Sequence, residues 1–159
     1  MRKSARLVSL IVLLASALPI QLSAQANDPR NGNWEINLAK SKFSPGPPPK
    51  GETRTYVVTA NSIKSVQKSI DAEGKPGSFE YDAKFDGKDY PTSGSPNIDT
   101  ISVKRVDAYT LEFTQKKNGK VVAVNQNVIS RDGKVITLTS KGTNSKGQAV
   151  NNVVVFDKR

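Results

Sequence analysis

Two arginines stand out among the residues able to do chemistry. Arg54 shares a strand face with Tyr56 and Val58 at a spacing of two, and Arg105 shares one with Ile101 and Val103. A guanidinium is a planar fork matched to a carboxylate or phosphate, and one turned toward an apolar interior is costly without an anion. The pattern predicts a small amphipathic ligand, its acid end held by Arg54 or Arg105 beside Tyr56 and its body lying against Tyr81, Phe85, Leu111 and Phe113. The alternative places both arginines at the rims of the fold, paired with acidic side chains or reaching water along their aliphatic stems.

Catalytic chemistry has little to work with. The chain contains neither histidine nor cysteine, which removes the commonest proton shuttle and the usual zinc and copper ligands. Ser65-x-x-Lys68 has the nucleophile spacing of penicillin-binding enzymes, but it lacks that mechanism's partner motifs, and on a strand residues three apart face opposite sides. Asp82, Asp86 and Asp89 could gather around calcium or a glycosidic bond, yet Asp86 precedes Gly87 in what reads as a tight turn. No EF-hand or phosphate-cradling loop occurs. The expectation is a binding protein without metal or cofactor; a histidine-free hydrolase is the weakest reading.

The start of the chain points to export. Residues 1–26 have the three parts of a secretory signal: Arg2, Lys3 and Arg6, then an apolar stretch from Leu7 to Ile20, then Ala24-Gln25-Ala26 as a small-x-small cleavage site. That apolar stretch, interrupted by Pro19, is shorter than the ~20 residues a spanning helix needs. Cleavage leaves residues 27–159 as one periplasmic or extracellular domain, with no cysteine to carry a lipid anchor or a disulfide. The formal charge of +10 includes the three cations of the leader, and the other basic residues are scattered along strand faces. No nucleic-acid-binding signature is present; a solvated cationic surface that discourages edge pairing accounts for the excess. Oligomeric state is left open.

The elements that must position these residues are short strands. Four turn signals carry Gly-Lys, at Gly74, Gly87, Gly119 and Gly133, and between them run segments rich in Val, Ile, Thr, Phe and Tyr. Strands are predicted at Gly32–Leu38, Glu52–Ala60, Ser62–Ile70, Phe79–Phe85, Ile98–Val106, Tyr109–Lys116, Val121–Ser130, Lys134–Gly142 and Val150–Asp157, with a short one around Tyr90-Pro91. Residues 39–50, which contain Pro45, Pro47, Pro48 and Pro49, cannot join a central ladder and read as an extended connector. Closure into one antiparallel up-and-down barrel of about eight to ten strands would remove the edges of such a meander. A sandwich is the other possibility, because both faces of the Val121 and Val150 strands carry valines. With 6% aromatic residues and polar outward positions, a membrane barrel is disfavoured.

Gly32-x-Trp34 at the start of the first strand, the length of the meander and the basic end Lys158-Arg159 resemble the calycins, the lipocalins and fatty-acid-binding proteins. The phrases Ala39 to Pro47 and Asp86 to Pro91 are similar to uncharacterised exported bacterial proteins with a lipocalin-like barrel, over nearly the whole of residues 27–159. The resemblance implies that Trp34 closes a barrel floor against an arginine from late in the chain. Two departures stand beside it. The helix pair that caps fatty-acid-binding proteins is replaced by the proline connector, and their Arg-x-Tyr on the last strand is absent, Arg54-x-Tyr56 lying on the second. A second functional expectation uses no cavity: an envelope interaction module acting through the proline arm or the cationic surface.

Overall fold

The computed structural model describes residues 28–144 and 146–159; the expected signal peptide lies outside them. Ten antiparallel strands follow the turn spacing of the sequence: β1 Gly32–Ile36, β2 Gly51–Val58, β3 Ser62–Ile70, β4 Pro76–Lys84, β5 Tyr90–Ser93, β6 Thr100–Arg105, β7 Thr110–Lys117, β8 Lys120–Ile129, β9 Val135–Thr143 and β10 Ala149–Lys158. Each pairs with its neighbours in chain order, and β1 meets β10 through Trp34 opposite Lys158 and Ile36 opposite Phe156, which closes the barrel. Closure removes the two outer edges of an up-and-down meander, and its shortest seam is β5, which pairs with β4 and with β6 through two residues each.

Turn chemistry sets the register. Asn118 and Gly119 both adopt positive φ, 50° and 73°, the backbone of a two-residue hairpin that joins β7 to β8. That turn, with a bulge between Gln115 and Lys116, brings Phe113 opposite Asn125 and Leu111 opposite Asn127. β8 is therefore inverted relative to simple hydrophobic patterning: Asn125, Asn127 and Ile129 point inward and are buried, while Val124 and Val128 are exposed. The ambiguity of this strand resolves in favour of a polar inward row.

Two ends of the barrel are packed differently. At the end where β2, β6 and β8 finish, Trp34, Ile63, Val103, Leu111, Ile129, Ile136 and Phe156 form a solid core. Burial of each such side chain contributes about 1.5–3 kcal/mol. At the opposite end the inward positions turn polar, and the interior opens. Among the described residues no helix is long and apolar enough to cross a membrane, and outward positions such as Lys64, Lys68, Glu80 and Gln126 are exposed.

The proline connector is tied down at its start. A single 3-10 turn over Leu38–Lys40 leads to Lys42, which exchanges backbone hydrogen bonds with Val153. Ser44 N–H then donates to Asn152 Oδ1 at 2.8 Å, and its carbonyl accepts from Asn151. The arm thus extends β1's coverage of β10, and Pro45, Pro47 and Pro48, which cannot donate to a ladder, stay exposed.

Candidate functional site

A cavity of about 230 Å³ occupies the polar end of the barrel. Cross-strand pairing assembles it row by row. Phe113, Asn125, Ser140 and Asn152 follow one another across β7, β8, β9 and β10, and Leu138 and Val154 form the next inward row. On the facing wall β2 supplies Glu52, Arg54 and Tyr56, β3 supplies Gln67 opposite Arg54, and β4 supplies Tyr81. Phe43, from the tethered start of the proline arm, completes the rim. A groove along Gly51, Ile70, Pro76 and Gly77, bordered by Glu35, Glu52 and Lys68, is larger at about 670 Å³ but is more open to solvent than the cavity.

Among the described residues, Glu52 and Arg54 are the only charged ones that line the cavity. They lie two apart on one strand, so their side chains share the inward face. Arg54 Nε donates to Glu52 Oε1 at 2.6 Å, its Nη1 donates to the Tyr56 hydroxyl at 3.3 Å, and its guanidinium carbon sits 4.5 Å from the centre of the Phe156 ring. Burial works against the Arg54 charge, but the Glu52 carboxylate and the Tyr56 oxygen outweigh it and hold its pKa above the usual arginine value. Tyr81 is also tightly enclosed: burial raises its pKa well above that of a free phenol, and its ring meets Phe79 at 5.7 Å and Phe113 at 6.1 Å. The inward arginine does have the anion that its burial requires, and the protein itself provides it.

The residues expected to form one site fall into two groups. Arg54, Tyr56, Tyr81 and Phe113 line the cavity together. Leu111 is fully buried in the solid core, and Phe85 and Arg105 sit at the far end of the barrel. There the Arg105 guanidinium lies 4.4 Å from the Phe85 ring centre and its Nη1 donates to Asp28 Oδ2 at 2.9 Å. Arg105 therefore matches the rim alternative, paired with an acid, whereas Arg54 points into the interior. Ser65 and Lys68 face opposite sides, one buried and one exposed. Asp86 accepts from Lys88 N–H at 3.0 Å in a turn, and Asp89 pairs with Lys116 at 2.8 Å; among the described residues no three acidic side chains converge as a metal site would need.

The far end is sealed by a plug that sequence reasoning missed. Residues 28–31, directly before β1, fold across the floor. Asn31 exchanges hydrogen bonds with the backbone of Val58 at 2.6 and 3.1 Å, Arg30 carbonyl accepts from Trp34 Nε1 at 2.8 Å, and Arg30 itself is fully buried. Its Nη1 donates to Asp28 Oδ1 at 3.2 Å and its Nε to Asn127 Oδ1 at 3.3 Å. Trp34 does close the floor, but the cation over its face is Lys158, 5.3 Å from the ring centre and hydrogen-bonded to Pro29 carbonyl at 2.7 Å; Arg159 instead pairs with Glu35 on the outside. The resemblance implied a late arginine at that place, and the last strand's register presents a lysine there, opposite Trp34.

The barrel is compatible in architecture with a lipocalin-like fold. No protein-family model matches the chain, and no curated protein matches it in sequence.

Proposed function

We propose that this is an exported, soluble barrel that binds a small amphipathic molecule inside its polar end. The observation that carries the reading is the partly enclosed cavity, where an internal ion pair and a ring of amide and hydroxyl side chains face an aromatic and aliphatic wall. A recessed, partly apolar cavity with a few convergent polar groups is the form small-molecule sites take. At about 230 Å³ it is smaller than the ~300–1,000 Å³ of drug-sized sites, which favours a ligand on the order of ten non-hydrogen atoms. The ligand's apolar part lies against Tyr81, Phe113, Leu138 and Val154, its polar part near Arg54 and Gln67.

Native mass spectrometry of the protein isolated from its source is the direct test. A retained small molecule is expected, and Ser140→Phe, which fills the cavity from β9, is expected to lose it. Protein that carries no adduct, and whose Tyr81 and Phe113 ring resonances ignore every small amphipathic compound offered, would sink the proposal. The exposure of Pro45, Pro47 and Pro48 favours one second reading, a proline-rich contact for another envelope component; copurification of a protein lost on replacing those prolines by alanine would support it.

A further inference from the structure

We infer that the head group taken by the cavity is uncharged and carries both a hydrogen-bond donor and an acceptor, as a primary amide or alcohol does, and is not a carboxylate. The inference rests on the reading of the cavity as a ligand site. It starts from the charge balance of the lining: Glu52 and Arg54 are the charged residues there, and they are already joined at 2.6 Å with side chains only 15% and 12% exposed.

A carboxylate brought against Arg54 would lie close to the Glu52 carboxylate as well. The attraction of one partner is then offset by repulsion from the other, while the loss of the ligand's hydration is suffered in full. Displacing Glu52 from Arg54 does not help, because it leaves Glu52 inside the barrel without its partner. An ammonium head group meets the same balance with signs reversed.

An uncharged amide meets none of these obstacles. Of the five N–H bonds of the Arg54 guanidinium, the Glu52 and Tyr56 contacts use two. The remaining polar lining is Gln67, Gln115, Asn125, Ser140 and Asn152, side chains that each donate and accept. Four carboxamides in one small space give a head group of mixed character partners for both its halves, where a full charge would have only dipoles. The six-carbon probes below keep the body within the size the cavity admits.

The experiment is calorimetric titration of the wild-type protein and of Glu52→Gln with hexanamide, hexanoate and hexylammonium at neutral pH. Hexanamide and hexanoate have the same shape and differ in charge. The wild type is expected to bind hexanamide about tenfold more tightly than either ion, since a buried unpaired charge is worth at least that factor. Glu52→Gln, which leaves Arg54 without its internal anion, is expected to gain about tenfold for hexanoate and so to bring it level with hexanamide. Wild-type affinity for hexanoate equal to or above that for hexanamide overturns the inference but leaves the cavity as a ligand site. Absence of binding by all three probes, with no movement of the Tyr81 and Phe113 ring resonances, overturns both. The wild-type order alone decides the matter should the variant fail to fold.

Discussion

Asp28 accepts hydrogen bonds from two guanidinium groups at once, Arg30 at 3.2 Å and Arg105 at 2.9 Å. Burial lowers the Arg30 pKa and the Asp28 carboxylate works against that loss, so the acid holds a charge in place that the floor would otherwise reject. Removing one partner of a buried pair leaves the other uncompensated, whereas replacing the whole charged group by an apolar one of similar volume is far milder. Asp28→Asn is therefore expected to lower the stability by about 3–5 kcal/mol in urea unfolding, and Asp28→Asn combined with Arg30→Met to recover a large part of that loss. If the double variant is as unstable as the single one, the charge account of the plug is wrong. The same pairing explains what a linear reading of the chain could and could not see. That inward arginines need an anion follows from Arg54-x-Tyr56 alone, but which acids meet them, Glu52 and Asp28, emerges only in the structure. Glu52 was legible in principle, two residues from Arg54 on the same face; Asp28 and Arg30 were not, because a plug made of loop has no period to read.

Among the elements, the strands and their connecting turns were the most legible part, since Asn118-Gly119 and the other glycine turns mark most of the reversals by backbone conformation rather than by tertiary context. Face assignment was harder on β8. Its valines suggest an apolar core strand, yet the register fixed by the hairpin turns Asn125 and Asn127 inward, and those two amides contribute to the cavity lining and the floor. A one-residue slip would turn Val124, Gln126 and Val128 inward in their place. The neighbouring strand carries the device that keeps β8 close: Gly142 of β9 packs so tightly on β8 that a Cβ there would run into the carbonyl oxygen of Val122 and come within 2.8 Å of the Cα of Ala123. Glycine inside a strand marks such a close backbone approach. Gly142→Ala is expected to cost about 1–3 kcal/mol by the strain of overpacking, visible as a lowered thermal midpoint, while Gly46→Ala in the proline arm, where a Cβ meets nothing within 4 Å, serves as the neutral control.

For the whole molecule, closure was the favoured expectation over a sandwich because short strands joined by tight turns in sequence order lose both edges that way, but the division of the interior into a solid floor and a polar cavity depends on which side chains meet across the barrel. The molecule's response to acid follows from its turns and its net charge together. Backbone N–H groups hold the carboxyls of Asp86, Asp99 and Asp107 below the usual aspartate range, through Lys88, Asn118 and Tyr109 respectively, and the Ser130 hydroxyl with Lys134 N–H does the same for Asp132. A carboxyl whose pKa is depressed on folding adds stability that is fully present above its unfolded value, about 3.9 for aspartate, and is lost as the pH falls through the folded value. Each protonation also adds to a formal charge that is already +10 for the full chain at neutral pH, so self-repulsion grows over the same interval. Stability is thus expected to be level with respect to these groups from pH 7 to about 5 and to fall steeply below about 4. Asp99→Asn weakens the contacts to Asn118 N–H at 2.7 Å and Lys117 Nζ at 2.6 Å; it should shallow that acid limb and lower the plateau near neutrality. Urea midpoints measured from pH 7 to pH 3 for both proteins check this, and an acid limb of unchanged slope in the variant would mean that the turn carboxylates do not set it.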